Sequence, residues 1–125
     1  MPPMKGKLSK VVIDLKIKPK TLGIYKLYNP RWPHIYYVGS SRDVRRRLND
    51  HRRKLENKKH RNYKLRQIFN MFPHEMHFEL LETYENFSQE TDDMVRRREE
   101  ALINFAPEGH KLLNIDRRTY RYRRK

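Results

Sequence analysis

Cysteine is absent from the chain, which excludes disulfides and any zinc site built on thiolates. Also missing is an apolar run near the ~18 residues that a membrane-spanning helix needs. The amino terminus, Met1 to Lys10, is basic but has no apolar stretch with a cleavage site behind it, so it does not read as a secretory signal. The expected setting is therefore intracellular, that of a cytoplasmic, nucleic-acid-associated protein. No internal repeat is visible. Glycine is scarce, with four residues in 125, so each glycine inside a regular element calls for a reason. Acidic residues are few beside basic ones: 15 Asp and Glu face 30 Lys and Arg, a formal net charge of +15.

A chain of 125 residues has room for one domain. Apolar residues make up 36% and charged residues another 36%, the balance of a thin core inside a strongly solvated shell. A field of this sign draws polyanions and speeds encounter with them. Nucleic acid is the expected partner. A membrane surface is not expected, since no stretch combines a basic face with a broad apolar face carrying Trp and Phe. The charge is uneven: Arg42 to Arg66 holds twelve Lys or Arg against three acids, whereas Glu75 to Glu100 holds nine of the fifteen acids. The tail Arg117–Lys125 adds six basic residues and no acid.

Local patterns predict the order β-β-α-α-β-α. Val11–Ile17 is β-branched and reads as a short strand within a basic extension, residues 1–20. Thr21–Tyr28 and Ile35–Val38-Gly39 read as two strands joined by a loop of about six residues, an antiparallel hairpin. Ser40-Ser41-Arg42-Asp43 has the Ser-x-x-Asp capping pattern ahead of a helix. Val44, Leu48, His51 and Leu55 then fall on one helical stripe. A basic linker, 57–61, leads to a second helix with Leu65, Ile68, Phe69 and Phe72, stopped by Pro73. His77–Tyr84 reads as the third strand. Ser88 opens a third helix, with Glu90, Asp92 and Asp93 near its positive end; it continues through Val95, Leu102 and Phe105 until Pro107-Glu108-Gly109. Leu112–Ile115 is a last apolar patch. The fold class is α/β: a small, central, mostly antiparallel three-stranded sheet flanked by helices.

Three features break the solvated pattern. Arg47 and His51, four apart, lie at the edge of the apolar stripe of the first helix; a snorkelling arginine and a hydrogen-bonded core histidine would account for them equally. Glu99 follows Val95 by four residues and precedes Leu102 and Ile103, so its carboxylate leaves the apolar face of the third helix. Burial there is costly unless a cation or hydrogen bonds compensate it, and either an arginine such as Arg96 or Arg98 or a divalent metal would serve. Tyr25 and Tyr37 sit on adjacent strands beside Gly23 and Gly39, and a glycine within a strand often marks close approach of a backbone or a ligand. Paired aromatics across a hairpin also arise from packing alone.

Taken together, these residues form a pattern. Gly23-Ile24-Tyr25, eleven residues, then Tyr37-Val38-Gly39 resembles the paired signature of the GIY-YIG nuclease superfamily, with valine in the middle of the second motif. The resemblance runs on through Ser40-Ser41-Arg42-Asp43, Arg47, His51, Glu99 and Asn114, over roughly 21–116. It is nearest to the catalytic domains of phage-type homing endonucleases in Tyr37–Gly39, Lys64-Leu65, Phe69-Asn70 and Leu113-Asn114-Ile115. It implies the GIY-YIG nuclease fold over 21–116, with a basic tail, 117–125, beyond it.

The resemblance also implies roles. The expected activity is metal-dependent hydrolysis of DNA phosphodiester bonds by a free-standing phage or mobile-element nuclease of the homing type. Tyr25, Tyr37, Arg47, His51, Glu99 and Asn114 would be the catalytic set. Glu99 would hold one divalent ion, Mg2+ or in its place Mn2+, since magnesium often takes one or two carboxylates and completes its shell with water and phosphate. Arg47 would grip phosphate with its planar fork. Tyr25, Tyr37 or His51 would take the proton of the attacking water, and Asn114 would orient the network. DNA contacts are expected from Arg42, Arg45, Arg46, Arg52, Arg53, Lys54, Lys58, Lys59, His60, Arg61 and Lys64, and from Arg117, Arg118, Arg121, Arg123 and Arg124 in the tail. Leu102-Ile103 departs from the aromatic–isoleucine pair common in the family, which bears on packing rather than chemistry. No stretch reads as a separate recognition region, so specificity is expected from the basic helix, residues 1–20 or the tail. Because one active site cuts one strand, double-strand cleavage would call for a homodimer on DNA or two successive nicks. The rival readings are a non-catalytic basic nucleic-acid-binding protein, to which the alternation Tyr120-Arg121-Tyr122-Arg123 is suited, and a restriction or repair nuclease of the same superfamily.

Overall fold

A computed structural model describes residues 4–85 and 88–115. Its elements in chain order are β1 (Met4–Lys7), α1 (Lys10–Lys16), β2 (Leu22–Tyr28), β3 (Ile35–Ser41), α2 (Val44–Glu56), α3 (Tyr63–Met71), β4 (His77–Tyr84), α4 (Gln89–Asn104) and β5 (Lys111–Leu112). The three expected strands form the centre of the sheet as β4-β2-β3, all antiparallel. Two short edge strands that the sequence pattern does not announce widen it to five, in the order β1-β4-β2-β3-β5. β1 pairs antiparallel with β4, whereas β5 runs parallel to β3 and touches it only at Ile35 and Tyr36.

Strand alternation splits the core in two. Tyr25 and Leu27 of β2 face a layer with Ile13, Ile17, Val44, Leu48, Leu55, Leu65 and Phe69 from the α1 region, α2 and α3. Leu22, Ile24, Tyr36 and Val38 face Val95 and Ile103 of α4. The register shifts between Ile24 and Tyr25 where β2 meets β4.

Val11–Ile17 is not a strand. Lys10–Lys16 is helical: Ser9 caps it, its side chain accepting from the Val12 amide at 3.4 Å. Ile13 and Ile17, four apart, are both buried while Val11 and Leu15 are exposed, a helical rather than alternating pattern. The cap of α2 also differs from the Ser-x-x-Asp expectation. Asp43 is the N-cap, accepting from the Arg46 amide, while Ser41 Oγ accepts from the Asp43 amide and shapes the turn before it. Ser88 caps α4 as expected. Phe105 is not part of the apolar face but an exposed C-cap. No helix among the described residues is long and apolar enough to cross a membrane. The tail residues Arg117, Arg118, Arg121, Arg123 and Arg124 lie outside the described residues.

Candidate active site

The hairpin supplies the first two site residues. Tyr25 lies opposite Gly39 in the β2–β3 ladder. Its ring crosses the place where a side chain at position 39 would stand: a Cβ there would lie 2.5 Å from the Tyr25 hydroxyl oxygen and 2.6 Å from Cζ. Gly23 is needed for a different reason, because its Cβ would meet the Glu82 carbonyl oxygen at 2.4 Å. Both strand glycines thus mark close approach, one of a side chain and one of a backbone.

Tyr25 is fully buried, and its hydroxyl lies 2.7 Å from His51 Nε2. His51, from α2, is fully buried as well; its Nδ1 is 2.7 Å from His60 Nε2. His60 Nδ1 in turn accepts from the Asn62 backbone amide at 3.1 Å. That last bond sets the direction of the others, since an amide N–H can only donate. With Nδ1 accepting, neutral His60 carries its proton on Nε2 and donates to His51 Nδ1. Neutral His51 then carries its proton on Nε2 and donates to the Tyr25 oxygen. Asn62 is itself anchored: it caps α3 through the Leu65 amide and donates to the Leu113 carbonyl.

Both imidazoles are held neutral. Burial, followed by the charge of Arg47, pushes His51 well below the ordinary histidine value and lowers His60 to about 4. Burial likewise raises the Tyr25 hydroxyl well above the ordinary phenol value, outweighing the opposing pull of Arg47. Tyr25 is therefore a protonated phenol at neutral pH, accepting from His51 and free to direct its own O–H elsewhere.

The two depressed histidines make stability depend on pH. A group whose folded pKa lies below its unfolded value leaves the unfolded chain binding more protons, so stability present near pH 7 falls as pH drops from about 6.5 toward 4. His60 alone contributes up to roughly 3 kcal/mol at one pKa unit per 1.36 kcal/mol. Urea midpoints taken at pH 7, 6 and 5 are expected to decline steadily. His60→Gln should flatten that slope, and an equal slope in this variant would refute the assignment.

Tyr37 is half-buried against the same core, its ring 6.4 Å from that of Tyr25 and 5.3 Å from that of His51. Arg47, one turn before His51, is within hydrogen-bonding influence of Tyr25 and pairs with Asp50 at 2.9 Å. Glu99 comes from the other side of the sheet. It is buried in α4, and Ser40 Oγ donates to its Oε1 at 2.8 Å. Its charge is nevertheless felt at Tyr25. Of the two arginines near it in sequence, Arg96 pairs with Asp92 and Arg98 with Glu82.

The edge of β3 explains how groups from two faces meet. β5 covers only Ile35 and Tyr36, and the Asn114 side chain continues its ladder, accepting from the Val38 amide at 2.9 Å and donating to the Val38 carbonyl at 2.8 Å. Beyond that, among the described residues, no strand pairs with the outer edge of Gly39–Ser41. Tyr25, Tyr37, Arg47 and His51 thus gather on one face of this edge and Glu99 on the other. Asn114, through Val38, holds the strand between Tyr37 and Gly39.

Among the expected DNA contacts, Arg42, Arg46, Arg53, Lys58, Lys59 and Arg61 are exposed, and Arg45, Lys54 and Lys64 are half-exposed. His60 is a correction. It is buried inside the His51 chain of bonds and presents no surface to a ligand. Arg52 is largely covered, with a side chain 17% exposed and paired to Glu56. Sequence reasoning also missed Ser40 and Asn62, one orienting Glu99 and the other fixing His60.

Glu99 suits a divalent ion. It is a buried carboxylate, a hard oxygen donor, oriented by Ser40 of β3. No group of three or more His, Cys, Asp or Glu that could hold a metal occurs among the described residues, so an ion here would rest on one carboxylate, with water and phosphate completing its shell.

A layered α/β domain with a phenol–imidazole pair, an arginine and a buried glutamate at one open strand edge defines a GIY-YIG catalytic domain. The chain belongs to that nuclease family: residues 21–105 match the family model of the GIY-YIG catalytic domain, well over half of its length. Two solved structures are similar to it. One, of the catalytic domain of the homing endonuclease I-TevI, has a TM-score of 0.59 and 24% identity, covering 75% of this chain and 99% of that one. The other, of the catalytic domain of the intron endonuclease I-TevI in a mutant form, has a TM-score of 0.57 and 27% identity, covering 68% and 82% respectively. No curated protein matches the chain.

Proposed function

We propose that this nuclease is a metal-dependent DNA endonuclease of the homing type, from a phage or mobile element, with its centre at the open edge of β3. The observation that carries the reading is that Tyr25 bonds to His51 of α2 while Ser40, on the strand beside it, bonds to the buried Glu99 carboxylate, with the charges of Arg47 and Glu99 both acting on the Tyr25 hydroxyl. Likeness to the I-TevI catalytic domain supports the homing type.

In this reading Arg47 holds the scissile phosphate, its fork matching two phosphate oxygens. Glu99, oriented by Ser40, is the metal ligand. A divalent ion bound there would supply charge neutralisation at the phosphate and at the leaving 3′ oxygen. The attacking water sits against Tyr25. Hydrogen-bond direction narrows the choice of base, because His51 Nε2 already donates to Tyr25 and its Nδ1 already accepts from His60. His51 therefore does not itself take the proton from water; a Tyr25 phenolate, its proton given to solvent and its charge held by the His51 Nε2–H and Arg47, would take that proton and return to the phenol. Tyr37 completes the wall around that oxygen.

Supercoiled plasmid incubated with Mg2+ tests the proposal. Nicked and then linear DNA is expected with the ion and none with EDTA. Absence of product on plasmid, branched and single-stranded DNA, with binding retained, would leave a basic binding protein instead.

A further inference from the structure

The 20 residues ahead of the family match do more than lengthen the chain. α1 packs on α2 through Ile13, and between the two elements opens a cleft of about 860 Å³. Asp14 of α1 lines it together with Arg42, ahead of α2, and Arg45, Arg46, Arg47 and Arg53 of α2. Five arginines line it against three carboxylates. Those carboxylates are already engaged in holding the arginines and the helix. Asp50 takes Arg47, Arg53 and Lys54, and Asp43 caps α2. Asp14 reaches Arg45 Nε at 3.6 Å and accepts from Asn49 Nδ2 at 3.3 Å. Among the described residues Arg46 forms no ion pair and is exposed. Arg46 and Arg53 are seven residues apart on the same side of α2, about 10 Å along the axis.

We propose that this cleft is the track of the cleaved DNA strand on one side of the scissile phosphate, with α1 as its outer wall. The inference rests on the nuclease reading for its anchor, since a strand whose phosphate lies on Arg47 must leave the site in some direction. This direction is the one in which arginine heads continue. Asp14 keeps Arg45 turned across the cleft mouth, so a phosphate there replaces a long, half-exposed ion pair. A DNA backbone recognised this way is read for charge and position, not for sequence.

The test is binding of a fluorescein-labelled 20-base-pair duplex in EDTA, followed by anisotropy over a salt series. Each phosphate contact contributes about 0.9 to the slope of log affinity against log salt. Arg45→Ala and Arg46→Ala should each lower the slope by about 0.9. Asp14→Lys, which puts a cation on the outer wall, should raise it by about the same amount and tighten binding. Arg31→Ala, which removes an exposed arginine paired with Glu75 away from the cleft, should leave it unchanged. Unchanged slopes in the two α2 variants overturn the track, and an unchanged slope in Asp14→Lys overturns the role of α1. Because no cleavage is measured, failure of the catalytic reading shows separately, in the plasmid assay, and does not alter these slopes.

Discussion

Glu99→Gln will abolish metal-dependent cleavage while leaving the fold and DNA binding intact. The glutamine is nearly isosteric, and its amide oxygen can still accept from Ser40 Oγ, so the packing of α4 against Val38 and Ser40 is preserved. What disappears is the only formal negative charge this side chain offers a cation, and the rate should fall about a thousandfold or more, ~4 kcal/mol of transition-state stabilisation. Arg47→Lys is the companion experiment. It keeps the charge but loses the fork, so a drop of about a hundredfold is expected; full activity would mean that a point charge suffices. Thermal denaturation of the Glu99 variant should match the natural chain within about 1 kcal/mol, because removing a desolvated carboxylate costs the core little. Retained cleavage in Glu99→Gln would remove the metal from this place. Lost activity together with a collapsed melting temperature would instead make Glu99 a structural residue.

The residues proposed for catalysis stand out in the sequence because a nuclease would need particular groups at fixed intervals along a hairpin and two helices. Tyr25, Tyr37, Arg47, His51 and Glu99 all meet at one strand edge, as the motif spacing implies. What was not readable divides by physical cause. β1 and β5 are four and two residues long and are defined by their neighbours in the sheet, leaving no period of their own. Val11–Ile17 has β-branched residues that favour a strand locally, but burying Ile13 and Ile17 while Val11 and Leu15 face solvent required a helix. His60 was hidden by its neighbours, because a histidine inside Lys58-Lys59-His60-Arg61 looks like one more exposed cation. Only the fold reveals that the chain dives there, burying His60 beside His51 before Asn62 starts α3. Asn114 was placed in the site by its motif. The structure gives it a backbone task, holding β3 flat where β5 has already ended.

Gly39→Ala should destroy the site from within the strand. The added methyl carbon would stand 2.5 Å from the Tyr25 oxygen and 2.6 Å from Cζ, closer than side-chain Cβ atoms come to any neighbour. The neighbour cannot yield easily. Tyr25 is fully buried, its ring is rigid, and its hydroxyl is tied to His51, which is itself wedged against His60. Either β3 must draw back from β2 or the phenol must swing off its imidazole partner, and overpacking of this kind costs about 1–3 kcal/mol. Breaking the Tyr25–His51 bond inside the core adds about 1–3 kcal/mol for the groups left unpaired. A loss of about 2–5 kcal/mol in urea unfolding is therefore expected, with cleavage down at least a hundredfold even at temperatures where the variant stays folded. Tyr25→Leu removes both clashing atoms, so the double variant should be less destabilised than the sum of the two single changes, a coupling that a double-mutant cycle reads directly. Additive effects would mean that the glycine is required by the backbone of β3 itself, and that the phenol does not depend on it for its place.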